Sequence, residues 1–337
     1  MVHVAGAAIL RAEEDASLEE LVFEAAAAAL TDAGIRRADI DGVCLAASDQ
    51  LDGRVISSMP LAGPAGGYLR DEVKVADDGS TAFAAAVLRL EAGASRRVLA
   101  VSWGRREGAR PEEAEAPNAS PVYERELGLH PLVAEALVAS TFAHRHGIPL
   151  SRFDDIADHL GGRTGDDGII STPLRRRHLT PDTDAAVALV LSAGPAAVEV
   201  TGLAWGADSA DPLSRGSLPE EALTAVAGRA YRQAGVDPRA VPVVETTERN
   251  VFRLCISAAG LGLVEAAGAP AALLGDGLPT LNAAGGRFAG EAMFAAGLER
   301  IAHAARAVAG GAESAVAHSS YGRAGQGQLV TVLRRTA

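Results

Sequence analysis

The sequence predicts an α/β protein of two related halves, in which helices and sheets pack as alternating layers. Short apolar runs alternate with alanine-rich runs of helical period along the chain, which is the pattern of layered α/β architectures. One helix–turn–strand passage occurs twice, once in each half. Hydrophobic residues make up 48% of the 337 residues, but aromatic residues only 4%. The core must therefore consist mainly of Ala, Val and Leu, whose small side chains let helices and sheets approach closely.

The elements follow from periodicity and from the residues that bound each run. The predicted strands are short apolar runs between turn residues, at 42–47, 98–103, 185–191, 198–204, 241–245, 279–281, 315–318 and 329–334. The predicted helices have apolar residues at helical spacing, at 18–33, 81–92, 131–145, 220–233, 251–263 and 290–309. Two of them end at glycines, Gly34 and Gly93, as helices commonly do.

The repeated passage divides the chain. "DAGIRRADIDGVCLA", from Asp32, and "QAGVDPRAVPVVETT", from Gln233, each contain a helix end, a glycine turn and the start of a strand. We therefore predict an N-terminal half at 1–191 and a C-terminal half at 192–337. The polar, Pro- and Gly-containing stretches within 104–183 indicate an insertion on the first half that holds a helix. A flexible linker within one half is the alternative.

Composition excludes several classes of function. The net charge of −12 argues against a nucleic-acid partner, because phosphate binding needs a basic surface. Cys44 and Cys255 lie far apart, without metal-site spacing, which is typical of a reduced cytoplasmic protein. We expect no membrane span, since no window has the roughly 20 uncharged apolar residues required. The first ten residues lack the basic start of a signal peptide.

Several stretches together resemble the thiolase superfamily, and most of all the sterol-carrier-protein-type thiolases. In chain order they are "VADDGSTAFAAAVLRLEAGASRRVLAVSWG", "ALVASTFAHRHGIPLSRFDDIADH", "VVETTERNVFRLCISAAGLGL", "LNAAGGRFAGEAMFAAGLERIAHAARAV" and "AVAHSSYGRAGQGQLVTVLRR". Their order and spacing cover almost the full chain. The resemblance implies the thiolase fold, with two α/β halves packed as helix–sheet–helix–sheet–helix. The chain is shorter than a typical member, which points to a trimmed insertion.

The catalytic positions of the family carry other residues here. Placing Gly79 on the glycine of the family's nucleophile turn puts Ala76 where the reactive cysteine belongs. Thr247 stands at the oxyanion-binding Asn or His, and Glu291 at the histidine of Gly-His-Pro. Tyr321 stands at the second, acid/base cysteine. Alanine cannot be acylated, so an acyl-enzyme route is closed at position 76.

Three residues remain as candidates for proton transfer. Tyr321 can act as an acid or base if a neighbour lowers its pKa, and Glu291 can act as a base if burial raises its pKa. His318 precedes Tyr321 by three residues at a strand end. Each has a structural alternative: Tyr321 covers neighbouring glycines, Glu291 opens a helix where the dipole favours a carboxylate, and His318 is a hydrogen-bonded core residue.

Other polar residues have weaker functional signals. Asp77 and Asp78 are better explained as caps of the helix at 81–92, and Thr247 as structural. His144 and His146 resemble a helix end that lies over the family's active site, although solvent-facing histidines are the commoner case.

The resemblance also implies a substrate and partners. We expect a coenzyme A thioester as substrate, with Arg175, Arg176 and Gly325 as candidate contacts, and no tightly bound cofactor; a solvated basic run is the alternative for the arginines. Steroid side-chain aldolases of this type lack the cysteine and act with a small OB-fold, zinc-ribbon partner. An atypical enzyme of aldol or acyl-transfer chemistry is the leading hypothesis, as a homodimer or with such a partner. The rivals are a non-catalytic subunit of a cysteine-bearing thiolase-like or OB-fold partner, and a module that only holds an acyl chain.

Overall fold

The strands of the chain form one long mixed sheet and one small hairpin. A computed structural model describes residues 1–12, 16–105, 110–161, 167–212, 215, 219–275, 278–283 and 290–336. Its strands are β1 (His3–Arg11), β2 (Gly42–Ala46), β3 (Asp71–Val75), β4 (Arg97–Gly104), β5 (Ile169–Ser171), β6 (Leu174–Arg175), β7 (Ala185–Ser192), β8 (Val198–Ala207), β9 (Val243–Thr246), β10 (Thr280–Leu281), β11 (Ser314–Tyr321) and β12 (Gly327–Arg335). β5 pairs only with β6.

The helices between these strands range from one turn to four. They are α1 (Leu18–Asp32), α2 (Ser58–Leu61), α3 (Gly79–Glu91), α4 (Pro111–Glu115), α5 (Pro131–Arg145), α6 (Ser151–His159), α7 (Glu221–Ala234), α8 (Val251–Gly260), α9 (Ala269–Leu274) and α10 (Ala296–Ala309). α1 begins with a capping box in which the Ser17 hydroxyl and the Glu20 carboxylate satisfy each other's backbone N–H groups.

The order of strands in the sheet repeats from its middle outwards. From one edge to the other it is β10-β9-β11-β12-β8-β1-β7-β4-β2-β3. The first five sheet strands of the chain and the last five occupy equivalent positions, and the two sets meet where β1 pairs with β8 through His3–Glu199 and Val4–Val198. β4 and β7 are joined by residues 105–184, whereas their equivalents, β11 and β12, are joined by residues 322–326 only.

Helices α3 and α10 form a layer that both halves of the sheet cover. One buried cluster contains Phe83 of α3, Leu298 of α10, Val98 of β4 and Ala317 of β11. α1 packs against β1 and β7 on the other face of the first five strands, and α7 packs against β8 and β12 of the last five. The predicted layered α/β architecture is confirmed. Among the described residues, no helix is both long and apolar enough to cross a bilayer.

The structure corrects the sequence prediction at several elements. The short helices α2, α4 and α9 and the β5–β6 hairpin were not predicted. β1 was not predicted, because its Ala- and Gly-rich sequence has little β-propensity, and neither was β3, a charged edge strand. The helix predicted from residue 290 begins at Ala296 instead. Residues 293–295 form a turn instead, in which Phe294 has a φ of 67° and its carbonyl accepts from the Ser102 hydroxyl at 2.9 Å.

Candidate functional site

An open pocket lies where loops from both halves of the sheet meet, and its empty space, together with the solvent at its mouth, amounts to about 1070 Å³. Its walls come from the turn between β3 and α3, the first turn of α5, the turn between β9 and α8, the segment before α10 and the end of β11. The long β4–β7 connection also contributes residues 115, 118, 179, 180 and 182. The pocket therefore contains most positions at which the resemblance placed catalytic residues.

The nucleophile position is an exposed alanine in the pocket wall. Ala76 directly follows β3, and neither Cys44 nor Cys255 is among the described lining residues. Both thiols are buried in the core, and burial raises the pKa of Cys44 to about 11 and that of Cys255 further. No thiolate among the described residues is thus available at this pocket.

Asp78 is a structural carboxylate, as predicted from the sequence. It caps α3 by accepting from the Ser80 N–H at 2.9 Å, and it also accepts from the Ser319 hydroxyl at 2.8 Å and the Gly297 N–H at 3.1 Å. These bonds tie α3 to β11 and α10. Asp77 does not cap the helix; it lies half-buried in the pocket wall, and burial raises its pKa to about 6.

Glu291 lies in the pocket wall with an unused carboxyl oxygen. Its backbone pairs with the 181–183 segment, donating to Pro181 and accepting from Thr183, so it does not open α10 and the helix-dipole explanation is wrong. Its Oε2 atom is buried and has no hydrogen-bond partner. Burial raises the pKa of Glu291 to about 7, against the lowering effect of Arg300 and Arg249. A carboxyl group with this pKa can take up and release a proton at neutral pH.

Tyr321 ends β11 with its ring between the pocket and Gly327. A Cβ atom at Gly327 would overlap that ring, so the tyrosine does cover a glycine, but it also lines the pocket. Burial raises the pKa of the Tyr321 phenol, and the carboxylates of Asp77 and Asp78 raise it further. Its environment therefore keeps the phenol protonated, and it can donate a proton or a hydrogen bond rather than accept one.

His318 and Thr247 lie behind the pocket wall. His318 is 1% exposed and is not among the pocket's described lining residues; its Nδ1 lies 2.6 Å from the Thr246 hydroxyl and its Nε2 lies 2.7 Å from Gln328 Oε1. Burial lowers its pKa to about 4, so the ring is neutral and fully hydrogen-bonded. The Thr247 hydroxyl accepts from the Ser320 N–H at 2.9 Å.

The predicted coenzyme A contacts are not among the described lining residues of the pocket, but Gly325 lines a small cavity that shares Glu135, Arg249, Ser320 and Gly322 with it. Arg175 lines a separate depression beside Pro173 and His178, and it donates to Asp167 at 2.6 Å. Arg176 is exposed in the next turn, and neither arginine is a described lining residue of the pocket. Gly325 has a φ of 62° and packs against Arg253, whose guanidinium a Cβ atom would overlap. Gly285 and Gly286 of the resembling "LNAAGG" stretch lie outside the described residues.

The histidines near the end of α5 are also outside this pocket. His144 is exposed, and the Nε2 of His146 lies 2.6 Å from Glu220 Oε1. Neither is among the described residues that line it.

A group of ion pairs that the sequence analysis did not identify supports the pocket. Arg253 donates to both carboxyl oxygens of Glu135, at 2.8 and 3.1 Å, and the Asn250 amide donates to the same carboxylate at 3.1 Å. Beside them, Arg249 donates to Glu115 at 2.7 Å. Asn250 before a helical run is a readable capping signal, but no local pattern pairs residues more than 100 positions apart.

Comparison with known proteins identifies the fold. No protein-family model and no curated protein matches the sequence significantly. Among solved structures, the Ltp2-ChsH2(DUF35) aldolase is similar with a TM-score of 0.77 and 19% identity over 99% of this chain and 97% of that chain. Human mitochondrial 3-ketoacyl-CoA thiolase is similar with a TM-score of 0.76 and 13% identity over 100% and 99%. The acetyl-CoA acetyltransferase of Bacillus anthracis is similar with a TM-score of 0.75 and 12% identity over 99% and 98%. The chain has the thiolase fold.

Proposed function

We propose, from the thiolase fold and the cysteine-free pocket, that this chain is an enzyme that breaks or forms a C–C bond beside an acyl-CoA-type thioester. One observation carries the proposal. Glu291 presents a buried carboxyl oxygen without a partner, with a pKa of about 7, in the pocket that Tyr321 also lines. A base and an acid in one pocket are what a reversible aldol step requires.

The retro-aldol direction uses both groups without a covalent intermediate. The Glu291 carboxylate takes the proton of the β-hydroxyl group of a β-hydroxyacyl thioester. The Cα–Cβ bond then breaks, and the β-carbon leaves as a carbonyl compound. The electron pair of the broken bond stays with the thioester, which becomes an enolate. The Tyr321 phenol protonates the α-carbon, which yields the shorter acyl thioester, and proton exchange with water restores both side chains. Addition runs through the same steps in reverse.

Acyl transfer is the less supported reaction at this site. It would require direct attack on the thioester, because Ala76 offers no group that could carry the acyl chain. The aldol step needs only proton transfer, for which Glu291 and Tyr321 suffice. His318 has no role in this scheme, since both of its ring nitrogens are occupied.

The assembly of the chain is part of the proposal. One similar structure is named as an aldolase of Ltp2 with ChsH2(DUF35). We expect the present chain to act as a homodimer or with a small OB-fold, zinc-ribbon protein, as the resemblance implies, and to work in the cytoplasm. Co-expression with such a protein from the same source tests this assembly, and a chain that purifies alone and active would contradict the need for it.

The test of function is turnover of a panel of acyl-CoA and β-hydroxyacyl-CoA substrates by the purified complex. Glu291→Gln and Tyr321→Phe should each lower kcat by about 100-fold or more, since general acid–base groups typically contribute that much. Glu313→Gln and Tyr68→Phe, at exposed positions, are the matched controls and should leave kcat unchanged. The rate should rise with pH through about 7, as Glu291 loses its proton.

Two other outcomes would replace the proposal. If the complex is active and its activity survives both changes, the chain is a non-catalytic subunit and the partner performs the chemistry. If an acyl ligand stays bound through purification and no partner produces turnover, the chain is a binding module.

A further inference from the structure

Arg249 lies beyond the carboxyl end of β9, one of two neighbouring parallel strands. β9 and β11 are parallel neighbours in which Thr246 pairs with His318. Arg249 and Tyr321 each follow these paired residues by three positions, and both line the pocket. The arginine therefore lies at the same end of the two parallel strands as the proposed acid.

Its guanidinium is fixed at one end and open at the other. Nη1 donates to Glu115 at 2.7 Å, and the Glu115 side chain is only 8% exposed. The Arg249 side chain remains 30% exposed, in a residue that lines the pocket. Because a guanidinium carries five N–H donors in a planar fork, one ion pair leaves donors for a second acceptor.

The pocket needs such a donor for a developing negative charge. Asp77, Asp182 and Glu291 line it, and Arg249 is the one cationic side chain among the described lining residues. Thr247, where the resemblance places an oxyanion-binding residue, is 3% exposed, and its hydroxyl accepts from Ser320. An enolate formed among carboxylates without a cation would be strongly disfavoured.

We infer that Arg249 binds the thioester carbonyl oxygen and stabilises the negative charge that it carries while the C–C bond breaks. This inference rests on the proposed function and adds a third residue to it. The electron pair of the broken bond moves to the carbonyl oxygen, and it returns to the α-carbon when that carbon is protonated. Arg249 keeps its protons throughout: burial lowers its pKa, but the carboxylates of Glu115 and Glu135 raise it more.

The test separates charge recognition from turnover. The probe is S-carboxymethyl-CoA, whose carboxylate carries a charge close to where the enolate oxygen would carry it, and free CoA is the reference. By isothermal titration the wild-type chain, with any co-purified partner, should bind the probe at least about tenfold more tightly than CoA. Arg249→Gln should abolish this preference while CoA affinity stays within about threefold, and Arg249→Lys should retain part of it. Arg232→Gln, at an exposed position on α7, is the matched control and should keep it fully.

Kinetics give an independent readout. Arg249→Gln should lower kcat by about 100-fold with little change in KM, as expected for a contact made mainly in the transition state. Should Arg249→Gln fail to fold, as judged by thermal unfolding, Arg249→Lys compared with Arg232→Lys decides by the same two readouts.

The outcomes distinguish the two proposals. If wild type shows no preference for the probe, or Arg249→Gln keeps it, the role of Arg249 is refuted whatever the enzyme does. If the preference depends on Arg249 but no substrate is turned over, the anion site stands and the proposed function fails. If turnover depends on Glu291 and Tyr321 while Arg249→Gln retains kcat, the proposed function stands and Arg249 has no part in it.

Discussion

Glu291 differs from the other buried carboxylates of the pocket in how its charge is compensated. Asp78 accepts three hydrogen bonds, and Glu135 accepts a bidentate guanidinium and an amide. The Oε2 atom of Glu291 has no such partner, and its pKa rises to about 7. Arg253 lowers the pKa of Glu135 against the effect of burial, whereas burial raises the pKa of Asp78 in spite of its three hydrogen bonds. Glu291 combines a raised pKa with a carboxyl oxygen that has no donor, so it is free to exchange a proton.

The sequence alone could not reveal which buried polar side chains have hydrogen-bond partners. The positions of Glu291 and Tyr321 followed from the resemblance, and the cap at Asp78 from its place before a helical run. That His318 is enclosed by Thr246 and Gln328 depends on β9 and β12 lying on either side of β11. Such cross-strand neighbours become visible only when the sheet order is known.

The pKa of Glu291 predicts a pH-dependent stability. The folded carboxyl keeps its proton up to about pH 7, while in the unfolded chain it loses it near its ordinary pKa of 4.5. The folded state therefore binds more protons between these values, and the free energy of unfolding falls as pH rises from 4.5 to 7. Glu291→Gln should remove on the order of 2–3 kcal/mol of this fall and be more stable than wild type at pH 8.

Urea unfolding at pH 5 and pH 8 measures the effect. Glu313→Gln is the matched control, because its side chain is exposed. Equal differences between the two pH values in wild type and both variants would show that Glu291 has an ordinary pKa.

At the scale of elements, the pocket depends on contacts between segments that are distant in sequence. α5, from the long β4–β7 connection, is joined to α8 by Glu135 and Arg253, and Arg253 in turn packs against Gly325 of the β11–β12 connection. Hydrophobic periodicity predicted both helices, but the charged residues that join them carry no periodic signal. Periodicity therefore predicted the walls of the pocket only as separate elements, and it was the resemblance that assigned Ala76, Glu291 and Tyr321 to one site.

The Glu135–Arg253 pair should contribute strongly to stability when only one partner is removed. Both side chains are 6% exposed, so either single change leaves a buried charge without its partner. Glu135→Ala and Arg253→Ala should each cost about 3–5 kcal/mol, and the double variant less than their sum. The exposed pair Arg152–Asp155 is the control and should contribute less than about 1 kcal/mol. Additive losses in a double-mutant cycle at Glu135 and Arg253 would contradict the interaction.

Gly104 is required by the approach of β4 to the segment before α10. A Cβ atom at this position would overlap the Met293 carbonyl, and Met293 and Phe294 line the pocket. Gly104→Ala should therefore destabilise the fold by about 1–3 kcal/mol and lower activity as well, because it displaces a pocket wall. Gly63→Ala is the control, since a Cβ atom there meets nothing within 4 Å. Equal unfolding midpoints for the two variants would show that the segment can move at no cost.

At the scale of the whole molecule, the repeat read from Asp32 and Gln233 corresponds to a repeated strand order. Each passage links the first helix of a set to its second strand, α1 to β2 and α7 to β9. The sequence could therefore predict two related sets of elements. It could not predict that they share one sheet, because the β1–β8 contact involves only two residue pairs and has no distinctive sequence.

The shared layer of α3 and α10 predicts that the two sets unfold together. Leu298 of α10 is fully buried in a cluster that contains strands of both sets. Trp103 lies in β4 of the first set, and Trp205 lies in β8 of the second. In Trp205→Phe, the fluorescence of Trp103 and the far-ultraviolet circular dichroism of the whole chain should give the same urea midpoint, as one cooperative transition requires.

Leu298→Ala in that background should shift both signals equally, by about 2–5 kcal/mol, although the residue belongs to the second set. Leu127→Ala, at a side chain that is 69% exposed, is the control and should shift neither. If Leu298→Ala moved the dichroism transition while Trp103 kept its wild-type midpoint, the first five strands would be stable by themselves. The pocket would then lie between two separately folding units. A single shift instead means that Ala76, Glu291 and Tyr321, which come from both sets of strands, are held in place by one cooperative core.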